Sequence, residues 1–120
     1  MASNPLTSHV LDTATGKPAV GIPVTLSKFE NDVWRQISRK WAFQDTANRL
    51  RWTGWKSDII EEFTPSKYKL TFETLAYYEG RGEKTFYPYI DVIFEIERSE
   101  EHYHVPILLS AYGYSTYRGS

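Results

Sequence analysis

Polar and apolar residues alternate in short segments along most of this chain, and this alternation most restricts the fold. A period of two puts every second side chain on the same face of a strand, whereas a helix needs apolar residues three and four apart. Residues 75–79 suit one helical turn, which Gly80-Arg81-Gly82 ends. About seven or eight short strands and one brief helix predict an all-β sandwich. The predicted strands are 8–12, 23–29, 33–37 and 40–43 (a hairpin or one long bent strand), 51–53, 68–74, 87–96, 102–110 and 112–117.

The length of 120 residues predicts a single domain, 1–120. The content of 41% hydrophobic and 24% charged residues is typical of a globular chain and argues against intrinsic disorder. A domain of this size buries only about two-thirds of its unfolded surface, so oligomerisation is a plausible further source of stability.

Charge and targeting patterns exclude several classes of function. Fourteen Lys and Arg against fifteen Asp and Glu give a net charge of −1, which provides no field for nucleic acid or an anionic membrane. The chain has no cysteine, which excludes disulfides, a thiolate nucleophile and cysteine-ligated metals. It shows no secretory signal and no long apolar run that could span a membrane. We therefore expect a cytoplasmic or peroxisomal protein that is not secreted.

Three histidines are the candidates for proton transfer near neutral pH. His102 and His104 lie two residues apart in a predicted strand, which places both side chains on one face about 7 Å apart. His9 lies in another predicted strand and can join them only through the fold. Neighbouring imidazoles repel each other when charged, and this repulsion lowers a pKa towards the pH at which a neutral general base works.

The same spacing leaves two other interpretations open. Each histidine alone is compatible with a hydrogen-bonded, partly buried strand residue. A His-x-His pair with a third histidine is also how a three-histidine zinc site begins. Asp12 or the pair Glu100-Glu101 would then orient the ligands.

Two arginines and the C-terminal segment are candidates for binding. Most arginines of the chain are explained as solvated charges on strand faces. Arg51 and Arg118 differ by their neighbourhoods, because Arg51 precedes Trp52 and Arg118 is third from the end of the sequence. A guanidinium can recognise an anionic or carbonyl-rich heterocycle with two parallel hydrogen bonds. The tyrosine-rich segment 112–117 predicts a last strand or a subunit contact.

Taken together, these motifs resemble the transthyretin-like family, and within it the branch that hydrolyses 5-hydroxyisourate. The resemblance covers most of the chain, and its most specific element is the terminal Tyr117-Arg118-Gly119-Ser120. Hormone-carrying transthyretins are similar in fold but lack this ending and the catalytic histidines. The motifs that carry the resemblance are 8–12, 15–19, 68–74, 86–89, 102–106 and 117–120.

The resemblance implies a transthyretin-like β-sandwich of two four-stranded sheets with one short helix near Thr74–Gly80. It also implies a homotetramer with active sites at a dimer–dimer interface. The implied reaction opens the cyclic amide of a small-molecule substrate, 5-hydroxyisourate, in urate breakdown, and needs no metal and no organic cofactor. The implied catalytic residues are His9, Arg51 and His104, the implied substrate-binding residues are Tyr117, Arg118 and Ser120, and His102 is a structural bystander.

One segment departs from the family pattern. The family presents its arginine after an Asp-Gly turn, whereas residues 46–51 here read Thr-Ala-Asn-Arg-Leu-Arg. A glycine supplies the positive φ that such turns often need, so this loop must be built differently and Arg49 is an alternative to Arg51. The departure leaves a second function open, that of a transthyretin-like carrier of a small ligand or an inactive homologue.

Overall fold

The protein is described by a computed structural model, which covers the backbone of residues 6–41, 43–44, 50–51, 53–55 and 63–119 and the side chains of 6–41 and 63–119. In chain order the strands are β1 (Leu6–Ser8), β2 (Val10–Asp12), β3 (Lys17–Pro18), β4 (Pro23–Glu30), β5 (Val33–Trp41), β6 (Phe43–Gln44), β7 (Leu50–Arg51), β8 (Thr53–Trp55), β9 (Ser66–Phe72), β10 (Ile90–Ile96), β11 (Tyr103–His104), β12 (Ile107–Ser110) and β13 (Gly113–Thr116), and the helix α1 (Leu75–Gly80) lies between β9 and β10.

Two four-stranded sheets form the sandwich. One has the order β13-β12-β2-β3, and the other has the order β10-β9-β4-β5 with antiparallel neighbours throughout. A three-stranded sheet, β11-β1-β8, and the pair β6-β7 add to them. Within the described residues, the predicted all-β sandwich with two four-stranded sheets and one short helix is confirmed. In the described part of the chain, no helix is long and apolar enough to cross a membrane.

Alternation in the sequence decides which side chains form the core. In β9, Tyr68, Leu70 and Phe72 are fully buried, and the residues between them are less so. Ile107 and Leu109 of β12 face them from the other sheet and belong to the same buried cluster. Truncation of a fully buried aromatic side chain to alanine typically costs about 3–5 kcal/mol, so this shared core holds the two sheets together.

The strands β4 and β5 form a hairpin with a two-residue loop. Asn31 and Asp32 have φ values of 52° and 64°, and Glu30 pairs with Val33 across the loop. Two consecutive residues with positive φ match the twist of the flanking strands. Of the two forms expected for 33–43, the structure shows one long strand, β5, whose register against β4 shifts between Leu26 and Ser27.

Two predicted strands are each divided in the structure. Residues 8–12 and 102–110 were expected to be continuous, but the first pairs as β1 and β2 and the second as β11 and β12. These two segments of the chain run parallel in one continuous register, since Thr7 pairs with His104 and Val10 with Ile107. Pro106 lacks an N–H and cannot donate to the ladder. His9 therefore lies at the point where the chain passes from one sheet to the next.

Candidate active site

Strand pairing brings His9 and His104 to the same face of the sheet. Thr7 of β1 pairs directly with His104 of β11, so their side chains point to the same side. His9 follows Thr7 by two residues and points in the same direction by the period of two. The hydroxyl of Ser8 points the other way and donates to the carbonyl oxygen of Val105 at 2.6 Å. This hydrogen bond joins the two segments where their strands divide.

The imidazoles of His9 and His104 are stacked. Their ring centroids are 5.1 Å apart and the ring planes are inclined by 29°. His104 is only 3% exposed, and His9 is partly buried. Two imidazoles at this distance oppose each other's positive charge, which favours the neutral form of both rings.

The His104 ring is held along two of its edges. On one edge, Nδ1 lies 2.8 Å from the hydroxyl oxygen of Thr7. On the other edge, the C-terminal segment crosses the ring, because the Gly119 N–H donates to the His104 carbonyl oxygen at 2.7 Å. A Cβ atom at position 119 would collide with Cδ2 of His104 and lie 3.1 Å from Cγ. Only a glycine allows the segment to lie this close.

Burial keeps both imidazoles neutral at physiological pH. The pKa of His104 is lowered to about 4, first by burial and then by the charges of His9 and His102, whereas a hydrogen bond with the Thr7 main chain raises it. Burial also lowers the pKa of His9 from 6.5. Neutral imidazoles retain a basic nitrogen, so the pair suits general-base chemistry at neutral pH.

His102 is exposed, but it remains connected to the pair. Its Nε2 lies 3.4 Å from the same Thr7 hydroxyl that contacts His104. His102 and His104 therefore face the same side, as their spacing predicts, although β11 begins only at Tyr103.

The structure places Tyr117 and Arg118 on the other side of β11. The Arg118 guanidinium is centred 4.4 Å from the ring of Tyr103 and donates to Glu101 at 3.1 Å. Tyr103 and His104 are successive strand residues with opposite orientations. Tyr117 and Arg118 help to line a mainly apolar pocket of about 240 Å³ that also contacts Tyr103. The described part of the C-terminal segment contacts His104 through Gly119, and the binding roles of Tyr117 and Arg118 stay predictions.

Three candidate side chains lie outside the described residues. Arg51 belongs to β7 and its backbone pairs with Phe43, but its side chain is not among those described. Arg49 and Ser120 lie wholly outside the described residues. Their roles likewise stay predictions.

The carboxylates considered for a zinc site have other partners. Asp12 accepts hydrogen bonds from the N–H of Ala14 and from the hydroxyl of Tyr77, at 3.0 and 2.7 Å. Glu101 pairs with Arg118. Within the described ranges, no group of three or more His, Cys, Asp or Glu side chains has a metal-binding arrangement.

Sequence reasoning missed Thr7 as part of the site, and it included Gly119 only within the terminal motif 117–120, not as a contact of His104. Thr7 could have been found from its position two residues before His9, because both must share a face. The close approach of Gly119 to His104 depends on a contact between residues 15 positions apart, for which the sequence carries no local signal.

Comparisons with known proteins identify a family, similar sequences and similar solved structures. The sequence profile of the HIUase/Transthyretin family matches residues 6–119. The 5-hydroxyisourate hydrolase of Salmonella typhi is 42% identical over 118 residues, which are 98% of this chain and 82% of the relative. The solved 5-hydroxyisourate hydrolase of Klebsiella pneumoniae superposes with a TM-score of 0.77 at 30% identity, covering 98% of this chain and 100% of that one. The solved transthyretin of Sparus aurata gives a TM-score of 0.83 at 25% identity, covering 98% and 97%.

Proposed function

Because this chain belongs to the HIUase/Transthyretin family, we propose that it is an enzyme that hydrolyses 5-hydroxyisourate, opening its cyclic amide to the ureidoimidazoline product of urate breakdown. The observation that carries the proposal is the stacked pair of a partly buried His9 and a buried His104, both neutral, with the C-terminal segment against the His104 ring. A carrier of a small ligand has no need of a buried pair of basic nitrogens.

Hydrolysis requires a nucleophilic water and stabilisation of the carbonyl oxygen as it gains charge. His104, assisted by His9, takes a proton from water as the water attacks the carbonyl carbon. Such positioned proton transfer typically contributes about 10²–10⁴-fold to the rate. The same imidazole then returns a proton to the departing ring nitrogen, so that protons balance over one turnover. These steps require no metal and no organic cofactor.

An arginine supplies the positive charge that this mechanism needs. We assign the oxyanion to Arg51, with Arg49 as the alternative, because a guanidinium donates two parallel hydrogen bonds to carbonyl oxygens. Tyr117, Arg118 and Ser120 are assigned to closing the pocket around the substrate. The Arg118 guanidinium lies against Tyr103 and pairs with Glu101. To contact the substrate it must either bind it on the Tyr103 side of β11 or separate from Glu101 when the substrate binds.

The proposed assembly is a homotetramer whose active sites lie between dimers. It is supported by large apolar side chains that remain exposed near the C-terminus, Tyr112 at 69% and Tyr117 at 52%. Tyrosine is enriched at protein interfaces. The compartment, cytoplasm or peroxisome, stays a prediction.

The experiment that tests this function follows the ultraviolet absorbance of 5-hydroxyisourate freshly generated from urate by urate oxidase. Wild-type protein should accelerate its decay well beyond the buffer rate, and His104→Gln should lose at least about 100-fold, the lower limit for a lost general base. Circular dichroism of His104→Gln checks that the variant remains folded. Decay at the buffer rate with wild-type protein would reject the hydrolase in favour of the carrier or inactive homologue.

A further inference from the structure

The hydroxyl of Thr7 lies between two imidazoles that differ in exposure. Its Oγ1 atom is 2.8 Å from Nδ1 of His104 and 3.4 Å from Nε2 of His102. Thr7 and His104 are buried, at 7% and 3% exposure, whereas His102 is exposed. The three side chains therefore form a continuous polar path from the buried imidazole to the surface.

We propose that Thr7 is a positioning residue that connects His104 to His102 and gives the proton taken up by His104 a route to solvent. The proposal rests on the proposed function, in which His104 is the base. It also gives His102 a role, whereas the sequence resemblance leaves it a bystander.

The hydrogen-bonding capacities of the three groups allow two resting arrangements, and the proposal adopts the one that leaves Nε2 of His104 as a basic nitrogen. A neutral imidazole has one N–H and one basic nitrogen, and a hydroxyl has one proton. The Nδ1–H of His104 donates to Oγ1 of Thr7, and the Thr7 hydroxyl donates to Nε2 of His102. Nε2 of His104, which is buried in the described part of the chain, is then the basic nitrogen, and the proposal places the reacting water against it.

Each of the three side chains gains one proton and loses one. When Nε2 of His104 accepts a proton from water, its Nδ1 proton moves to Oγ1 of Thr7. The hydroxyl proton of Thr7 moves to Nε2 of His102, and His102 releases its Nδ1 proton to solvent. The hydroxide formed from water bonds to the carbonyl carbon. His104 ends neutral with a proton on Nε2, which it can give to the departing ring nitrogen, and the path then resets in reverse.

The charges around His104 explain why such a path is useful. His9 faces its ring and His102 reaches it through Thr7, and both oppose a positive charge on His104. Beyond them, Arg118 donates to the His102 carbonyl oxygen at 3.4 Å and pairs with Glu101. A charge on exposed His102 is solvated, whereas a charge on buried His104 is not.

Three variants test the path through kcat and KM. Thr7→Val keeps the shape of the side chain but removes the hydroxyl, and His102→Gln replaces the exposed imidazole with an amide that cannot take up and release a proton. Each should lower kcat at least about tenfold with little change in KM, because positioned proton transfer is worth about 10²–10⁴-fold. Thr7→Ser restores the hydroxyl and should recover most of kcat. The matched control Thr74→Val removes a buried hydroxyl that donates to Tyr87 and should leave kcat unchanged.

A nitrogen-15 NMR measurement provides a readout that does not depend on turnover. The wild-type His104 ring should be protonated on Nδ1, and Thr7→Val should mix or reverse the tautomers. Wild-type kcat in either Thr7→Val or His102→Gln, or a wild-type His104 protonated on Nε2, would overturn the path while leaving the hydrolase intact. If wild-type protein does not accelerate 5-hydroxyisourate decay, the proposed function fails. The NMR tautomer of His104 then decides by itself whether its Nδ1 donates to Thr7.

Discussion

The His104 side chain has neighbours on several sides that leave it little freedom. Thr7 contacts Nδ1, His9 covers a face of the ring, and Gly119 lies against the Cδ2 edge. A ring fixed in this way needs no reorganisation when it accepts a proton. The C-terminal segment thus shapes the site through a glycine backbone, besides any side chain that it contributes.

We expect Gly119→Ala to lower kcat by about tenfold to 100-fold, because the added methyl group displaces the His104 ring and misplacement by about 1 Å can cost 10²-fold. The matched control is Gly113→Ala, whose Cβ would meet only Ser110 Oγ at an ordinary 3.5 Å. Steady-state kinetics of both variants check this expectation. Equal kcat values for Gly119→Ala and wild type would show that the segment does not constrain His104.

At the scale of elements, alternation predicted most strands but not where they divide. The spacing placed β4 and β9 to within two residues at each end, although only β9 alternates without interruption; in β4 three consecutive residues, Leu26, Ser27 and Lys28, are buried at the register shift. It did not predict the division at His9, which arises from pairing with a segment 97 positions further along the same chain. The shared face of Thr7 and His9 was readable from spacing, whereas their approach to His104 depends on this long-range register.

The β4–β5 hairpin allows a test of local strain. Asp32 has a φ of 64°, a conformation that costs an ordinary L-residue roughly 1–2 kcal/mol and glycine little. Asp32→Gly should therefore raise the free energy of unfolding by up to about 1 kcal/mol, since an Asn-Gly pair suits this turn. Urea titration at fixed protein concentration measures it. Asp32→Val should be destabilising; a stability equal to that of Asp32→Gly would contradict the turn geometry.

At the scale of the whole molecule, β10 and β13 lie at the edges of their respective four-stranded sheets. An unprotected edge can pair with another chain, and a lysine on the edge opposes such pairing. Ile93 of β10 and Val33 of β5, the other edge strand of that sheet, are both 59% exposed, but only Ile93 lines the pocket that Tyr117 also lines, and Tyr117 is proposed for the subunit contact.

We expect Ile93→Lys to reduce the proposed tetramer to smaller species and Val33→Lys to leave it intact. Size-exclusion chromatography with light scattering gives the mass of each. Activity should fall with the loss of the tetramer, because the proposed sites lie between dimers. An unchanged mass for Ile93→Lys would exclude the β10 edge from the assembly.

Proton transfer by buried, neutral His104 is the step on which the proposed hydrolysis depends most. The pH dependence of kcat/KM for 5-hydroxyisourate tests this directly, because it reports the pKa values of essential groups in the free enzyme. The pKa of His104 is lowered from 6.5 to about 4, so its neutral form persists as the pH falls and is lost only near pH 4. The pKa of His9 is lowered in the same direction. With the uncatalysed decay subtracted at each pH, kcat/KM should stay level to below pH 6.5 while circular dichroism reports a folded protein. A loss of activity with its midpoint at or above pH 6.5 would contradict the account.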